Sequence, residues 1–400
     1  MGKVLELGPG GWRGVVAGLS ALLASLLVAP QALAADLGEP GEALSVNVHG
    51  FVSQGFILTS RNDYLGKDTT RGSFQFSEVG INFTKKLTDK LRTGVQFFAQ
   101  DLGPTGNYNA KVDWAYLDYR LEDWFGLRAG RLKIPYGLYN EIQDVDAARV
   151  PVLLPQSLYP LQAREFLFAQ TGVEIYGFKR LSSLGALDYR LFAGTIFIDA
   201  STLTPPGAGY DLRFNVPYVA GGRLLWETPL QGLRLGGSVQ AIHLDTTAFV
   251  PDGKQTTLEI ENRSLLTVAS AEFARDGLVL TAEYSRWQAK QTSIDPGNSL
   301  TALSERAYVM GTYRVTPWLQ NGVYYALQYP NVHDREGREN RQHDLAMTMR
   351  FDINNHWLVK FEGHYMEGTA GLASPLRFGP QITDAARSWG VFLVKTTAYF

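Results

Sequence analysis

The 400-residue sequence contains no cysteine and no excess of basic residues. The absence of thiols excludes disulfide crosslinks, cysteine nucleophiles and cysteine-ligated metal ions. The formal net charge is −2, from 37 basic and 39 acidic residues, so the composition gives no sign of nucleic-acid binding. We therefore expect a protein that uses no thiol chemistry and has no nucleic-acid partner.

Long apolar runs are also missing beyond Ala35, where no uncharged stretch approaches the ~18 residues of a transmembrane helix. Glycine (41 residues) and aromatic residues (12%) are abundant instead. A chain that crosses a bilayer without such helices must form a closed β-barrel, because no other structure pairs every backbone polar group in lipid.

The first residues have the layout of a secretory signal. Lys3 and Arg13 precede an apolar run over 15–28, and small residues follow up to Ala34. Cleavage after Ala34 is predicted, because the apolar run is shorter than the ~20 residues that span a bilayer. The alternative is an N-terminal membrane anchor. The predicted organisation is a signal peptide over 1–34, a short periplasmic segment over 35–43 and a transmembrane barrel over 44–400.

Alternating apolar and polar residues predict an all-β, antiparallel transmembrane barrel. In one strand, Leu345, Met347 and Met349 share a face, and Asp344 and Arg350 share the opposite face. A soluble sandwich, which would bury the first face, is the alternative. The sixteen predicted strands cover 44–59, 73–87, 91–100, 111–121, 127–138, 170–180, 186–198, 218–227, 233–244, 259–274, 278–290, 304–315, 319–329, 343–353, 357–367 and 387–400.

The connections between these strands are alternately short and long. Polar turns such as 88–90 and 275–277 alternate with loops such as 60–72 and 199–217. Short periplasmic turns and long extracellular loops are typical of outer-membrane barrels. An even strand count returns both termini to the periplasm, and one miscounted hairpin would make it fourteen or eighteen.

The sequence ends in an alternating strand whose last residue is Phe400. An unpaired apolar edge is a liability for a soluble protein, and barrel closure removes the edge. Phe400 also resembles the terminal aromatic residue read by the barrel-assembly machinery of the outer membrane. We expect Phe400 to act as an assembly signal.

One connection, over 140–169, is far longer than the others. Structureless loops of about 30 residues are uncommon and usually functional. This loop carries many apolar side chains, including Leu153, Leu158 and Phe168, which are costly to leave in water. A barrel of about sixteen strands encloses an aqueous channel, so folding inward would bury these side chains and narrow the channel.

The chain resembles bacterial outer-membrane porins of the sixteen-stranded general or phosphate-selective kind. The resemblance covers essentially all of the chain after the signal peptide and is carried by 48–51, 113–120, 130–141 and 361–365. It implies a third extracellular loop folded into the lumen and an outer-membrane location. It also implies contact with lipid and lipopolysaccharide, and assembly as a homotrimer.

Opposed charges are predicted to line the constriction, where they would order water and favour small ions and polar solutes. The alternative is a wall network that only fixes the barrel. The predicted constriction residues are Arg92, Asp118, Arg120, Arg131 and Lys133 on the strands, with Glu141, Asp144, Asp146, Arg149, Arg164 and Glu165 on the loop.

Further lumen-facing charges follow from the same alternation, and the two signs nearly cancel. No one-sided arginine ladder of the kind a dedicated phosphate channel needs is apparent, so ion preference stays open. The predicted bases are Arg190, Arg223, Arg234, Arg306, Arg314, Arg350, Lys360 and Lys395, and the acids are Glu78, Glu174, Asp188, Glu272, Glu283, Asp344, Asp352 and Glu362.

Catalysis and metal binding have little support. A phospholipase would need a serine nucleophile with a histidine on the outer wall, and none of the six histidines forms a His-x-Ser pair. His333 and His343 lie in one stretch with Asp334 and Asp344, but their neighbours indicate a solvated loop. We expect no catalytic residue, no metal site and no cofactor.

The predicted function is passive diffusion of ions and small hydrophilic solutes through a water-filled channel. Two alternatives stay open: a channel selective for anions such as phosphate or for organic acids, and an occluded barrel with a structural or adhesive role.

Overall fold

The computed structural model describes residues 45–103, 106–198, 211–250, 256–293, 299–372 and 385–400. The predicted signal peptide and the whole of the short segment after it lie outside these residues. None of the helices in the described ranges has the length and apolar character needed to cross a lipid bilayer.

The described residues form sixteen antiparallel strands in one closed barrel, in which each strand pairs with its neighbours in sequence and β1 pairs with β16. The strands are β1 (Asn47–Thr59), β2 (Phe76–Lys86), β3 (Leu91–Leu102), β4 (Lys111–Glu122), β5 (Phe125–Lys133), β6 (Ala169–Arg180), β7 (Ala186–Thr195), β8 (Asp211–Glu227), β9 (Leu233–Val250), β10 (Thr256–Arg275), β11 (Leu278–Ser293), β12 (Ser299–Thr316), β13 (Leu319–Tyr329), β14 (Gln342–Asn354), β15 (Trp357–Gly368) and β16 (Ser388–Tyr399). The predicted fold class is therefore confirmed.

Several strand bounds differ from the prediction by five to seven residues, and two of these differences lie at prolines. β5 ends at Lys133 rather than at residue 138, because Pro135 cannot donate a ladder hydrogen bond. β8 begins at Asp211, seven residues earlier than predicted, and Pro217 lies where its register with β9 shifts. A bulge lets a proline remain within a strand, which sequence reasoning treated as a strand boundary.

Closure of the barrel involves the last residue. The Phe400 amide donates to the Gly50 carbonyl, and the Gly50 amide donates to the Phe400 carbonyl, both at 3.0 Å. A Cβ atom at Gly50 would lie 2.6 Å from the Phe400 ring, so only glycine leaves room for the ring there. The pairing of β1 with β16 leaves no open sheet edge.

The two faces of the sheet differ as the alternation predicts. On β14, Met347 is 68% exposed on the outward face, while its neighbour Thr348 is 3% exposed on the inward face. Large apolar side chains are exposed around the outside, and most inward side chains are buried. Because the strands close into a single sheet, the alternative of a soluble two-sheet sandwich is wrong.

The 134–168 segment joins β5 to β6 and contains four short helical turns, at Asn140–Ile142, Asp146–Ala148, Leu161–Ala163 and Arg164–Leu167. Its apolar side chains Val152, Leu158 and Phe168 have no exposed surface. Leu158 belongs to a buried cluster that includes Tyr308 of β12, and Val152 belongs to a second cluster that includes Leu393 of β16. Burial of these apolar groups stabilises the position of the segment against the wall.

Candidate functional site

The 134–168 segment contacts strands on opposite sides of the barrel. Glu141 pairs with Arg190 of β7, and the amide of Leu153 donates to Glu362 of β15 at 2.8 Å. β7 and β15 are eight positions apart in a ring of sixteen strands. The segment therefore makes contacts across the full width of the barrel.

Asp146 is the centre of the strongest ionic contact. Its carboxylate lies 2.9 Å from Lys360 on β15 and 3.7 Å from Lys395 on β16, and it accepts a 2.7 Å hydrogen bond from Thr397. Arg149 of the same segment lies 3.4 Å away. Burial alone would raise the pKa of Asp146, but the surrounding cations outweigh it and hold this pKa well below its usual range. The carboxylate is therefore a fixed anion between three cations.

Glu362 holds the segment at a second point. It accepts hydrogen bonds from the backbone amides of Val152 at 2.7 Å and Leu153 at 2.8 Å. Its Oε1 atom also lies 3.1 Å from Nε2 of His364, whose Nδ1 atom lies 2.8 Å from Asp344. A carboxylate with several donors is well satisfied although buried, so this contact fixes the backbone of the segment.

Glu283 on β11 holds the start of the segment. It accepts hydrogen bonds from the Leu138 amide at 3.0 Å, from Ser270 at 2.5 Å and from Tyr308 at 2.7 Å. The hydroxyl of Tyr159, further along the segment, also donates to Glu283. One wall carboxylate thus holds two positions of the segment that are 21 residues apart in sequence.

A fourth contact lies beside β4 and β5. Asp144 pairs with Lys133 at 3.2 Å and with Arg164 at 3.0 Å, and Arg164 also pairs with Asp113 of β4 at 2.6 Å. Burial would raise the pKa of Asp144, but Arg164 and Lys133 lower it to about 2. The carboxylate therefore stays ionised at any physiological pH.

Several charged side chains on the inward face of β3 to β8 keep contact with water. Glu141 pairs with Arg190 and, at 2.8 Å, with Arg223. Asp118 pairs with Arg92 at 2.8 Å and with Arg128 at 3.3 Å. The Arg92 side chain is 50% exposed, against 0% for Lys360 on the far wall. Access to water is therefore uneven around the barrel.

Among the predicted constriction residues of the wall, Lys133 pairs with Asp144 of the segment, and Arg92 pairs with Asp118. Arg120 lies at the turn end of β4, 3.9 Å from Asp123, and Arg131 donates to the carbonyl oxygen of Asp113 at 3.0 Å. The side chain of Glu165 lies outside the described part of the chain. That the loop acids face Arg120 and Arg131 stays a prediction, while Glu141 and Asp146 pair with bases on more distant strands.

Sequence reasoning placed several of the actual partners on the inward face but not in the site. Alternation identifies a face, and it does not say which strands a loop reaches. These residues are Arg190, Arg223, Lys360, Lys395 and Glu362.

Asp113 and Arg128 were missed altogether. The register of β3 against β4 shifts so that Asp113 is an extra residue between the partners of Gln96 and Phe97. A bulge of this kind re-aims a side chain, so strict alternation fails there. Arg128 pairs with Glu174 at 3.1 Å as well as with Asp118.

No cluster of three or more acidic or histidine side chains that could hold a metal ion occurs among the described residues. His343, considered above as a ligand, lies with its Nδ1 atom 2.6 Å from the hydroxyl of Tyr325.

Residues 55–146 match the family model of the phosphate-selective porins O and P. That range runs from β1 to Asp146 of the segment. Over 101 residues the chain is 31% identical to an uncharacterized protein of Aquifex aeolicus (strain VF5). The matched stretch is 24% of this chain and 22% of that protein, so the two are related over about a fifth of the relative's length.

Solved structures with the same fold cover nearly the whole chain. An anion-selective porin from Comamonas acidovorans superposes with a TM-score of 0.55 at 12% identity, over 89% of this chain and 99% of that one. The trimer form of OmpT, an outer-membrane protein of Vibrio cholerae, gives 0.54 at 14% identity over the same shares. The outer-membrane channel DcaP of Acinetobacter baumannii gives 0.55 at 11% identity, over 89% of this chain and 97% of that one. The matched segment and the shared fold together confirm the predicted resemblance of this chain to sixteen-stranded porins of the bacterial outer membrane.

Proposed function

We propose that the protein is an outer-membrane porin through which ions and small hydrophilic solutes diffuse passively, and that the 134–168 segment lies in the lumen and narrows it. The observation that carries this proposal is the set of contacts between the segment and inward-facing residues of opposite strands. Glu362 and Glu283 bind the segment from two different strands, β15 and β11. A segment outside the barrel could not reach both.

The surroundings of the barrel follow from its outer face. Large apolar side chains such as Leu345, Met347 and Phe392 are exposed there, which suits lipid rather than water. We infer an outer-membrane location, with lipid and lipopolysaccharide around the wall and insertion by the barrel-assembly machinery. The trimer form of the Vibrio cholerae protein supports a homotrimer.

The route for solutes runs beside β3 to β8, where charged side chains keep contact with water. Both signs are present: Arg92, Arg128 and Arg190 alternate with Glu141 and Asp188. Opposed charges across a narrow passage create a transverse field that favours small polar solutes over apolar ones. The description of the matched family favours the alternative of an anion-selective channel, phosphate included.

One observation favours the second alternative, an occluded barrel. Lys360, Lys395 and Glu362 are at most 1% exposed beneath the segment, so this half of the lumen has no free passage while the segment is in place. A barrel fully closed in this way would have a structural or adhesive role and would not conduct.

Deletion of 150–160 tests the proposal, because it removes the part of the segment bound by Glu362. The deletion barrel should have a higher single-channel conductance in planar bilayers and admit larger sugars into liposomes. The matched control is a deletion of 334–338, which shortens the exposed connection between β13 and β14. Equal conductance in wild type and the 150–160 deletion would refute the lumen position. A wild type without conductance and a conducting deletion would favour the occluded barrel.

The reversal potential in a salt gradient, recorded on the same wild-type channels, decides between anion preference and no preference. A value near zero supports general diffusion. A reversal potential that indicates strong anion preference, together with block of the current by inorganic phosphate, would favour the selective channel.

A further inference from the structure

A shallow apolar groove of about 370 Å³ lies on the outer wall of the barrel, across β10 to β13. This volume is within the range of small-molecule sites, roughly 300–1,000 Å³. Four alanines occupy neighbouring outward positions there, with two tyrosines among them: Ala269, Ala271, Ala282, Ala307, Tyr284 and Tyr325. Small side chains between tyrosine rings leave an elongated slot that faces the membrane.

A positively charged surface follows immediately above the groove. Arg286 is two residues beyond Tyr284 on the same outward face of β11, and Lys290 follows four residues later. Neither of the two bases pairs with a carboxylate of the described residues. Glu305, opposite Arg286 in the sheet, is instead paired with Arg335 at 2.6 Å and accepts the Tyr284 hydroxyl. The acid beside the groove is thus already neutralised. Arg286 hydrogen-bonds the Tyr284 side chain, and neither Arg286 nor Lys290 has a carboxylate partner in the described ranges that would compete with an anion.

Along the strand, Arg286 and Lys290 lie at the level where the headgroups of membrane lipids are expected. β11 begins at Leu278 at the short-turn end, so Arg286 is its ninth residue. Strands of outer-membrane barrels cross the apolar band in roughly 9–11 residues. Arg286 and Lys290 therefore lie at the edge of the membrane on the side of the long connections, and the alanine groove lies just inside the apolar band.

We propose that this groove binds the lipid A part of lipopolysaccharide, with one acyl chain over the alanines and a phosphate between Arg286 and Lys290. The inference rests on the outer-membrane location proposed above. The charge argues for this occupant, since lipid A combines acyl chains with phosphates at the level where the bases lie. Each basic residue near a membrane surface strengthens the binding of an anionic lipid about fivefold.

Two sets of variants test the site in full-length barrels extracted from the outer membrane. Arg286→Gln with Lys290→Gln removes the bases, and Ala269→Phe with Ala307→Phe fills the groove without adding polarity to the lipid face. The first control is Lys179→Gln with Arg180→Gln, which removes the same charge at the short-turn end of β6, away from the groove. The second control is Ala193→Phe, which enlarges an outward alanine of β7. The measurement is lipid A retained per barrel, followed by rebinding of purified lipid A.

The variant without the two bases should rebind lipid A about fivefold more weakly for each base removed. The groove-filled variant should also rebind lipid A more weakly, while both controls behave like wild type. Unchanged binding in the groove-filled variant would overturn the proposal. The proposal would also be overturned if the test variants lost binding to phosphatidylglycerol vesicles as strongly as binding to lipid A, because the site would then be a general surface for anionic lipids. Loss of trimers with normal lipid A binding would identify the groove as a subunit interface instead. Conductance is recorded on the same preparations, so failure of the pore proposal is read separately.

Discussion

Replacement of Asp146 by asparagine is expected to loosen the 134–168 segment. In the wild type, one carboxylate lies within 4 Å of Lys360, Lys395 and Arg149, and all three side chains are almost entirely buried. Asparagine keeps the shape and the contact with Thr397, but it leaves Lys360 and Arg149 without a counter-charge, while Lys395 keeps its pair with Glu78 at 2.5 Å. Lys360 still donates to backbone carbonyls of the segment, which hold its position but do not neutralise its charge.

Removal of one partner from a buried ion pair costs about 3–5 kcal/mol. A change of this size shifts the equilibrium between the bound and the released segment by roughly 10²–10⁴-fold. We expect Asp146→Asn channels to show larger and noisier single-channel currents in planar bilayers. Trypsin should also cut after Arg149 in intact barrels faster than in wild type.

Two comparisons make this prediction specific. Addition of Lys360→Met to Asp146→Asn removes an orphaned charge and should restore part of the wild-type conductance, since apolar side chains can replace a buried ion pair at little cost. Asp334→Asn removes an exposed acid between β13 and β14 and should change nothing. If Asp146→Asn barrels fold and show wild-type conductance and wild-type protease resistance, the carboxylate does not hold the segment.

Three further outcomes are expected. Replacing both Arg190 and Arg223 with glutamine removes the two ion-pair partners of Glu141, and a unit charge interacts with an ion ~4 Å away by up to about 4 kcal/mol at an effective dielectric of ~20. The reversal potential should therefore shift toward cation preference, and the shift should shrink at about 1 M salt, where the electrostatic screening length falls to ~3 Å. A shift that does not depend on salt would exclude these residues from the passage. Deletion of Phe400 removes two hydrogen bonds that close the barrel, worth ~1 kcal/mol each. The yield of heat-modifiable barrel should therefore fall, with no change in the conductance of the channels that do insert, and a normal yield would argue against an assembly role. The pKa of Asp144 is depressed to about 2, so the stabilisation that its ion pairs give the segment is complete above its ordinary pKa of ~3.9 and is lost as the pH falls toward 2. The conductance should stay constant from about pH 7 to about pH 4 and rise only below about pH 4. A rise in conductance near neutral pH would contradict the role of these ion pairs.

The sequence by itself determined the number of strands and the faces of most of them. This was possible because a strand has a period of two, so Met347 and Thr348 point to opposite faces whatever their partners are. The sequence also marked the connection over 140–169, since side chains such as Leu158 and Phe168, which the structure buries, are too apolar for an exposed loop. These signals are local, and they need no knowledge of distant residues.

The tertiary structure alone decided which charges meet. Asp146 and Lys360 are 214 residues apart, and nothing in the alternation of either region indicates that the segment reaches β15. The bulge at Asp113 and the register shift at Pro217 depend on the neighbouring strand, so they also escape a count along a single strand. Each strand carries a repeating pattern, but the partners of a loop depend on where closure of the barrel places all sixteen strands.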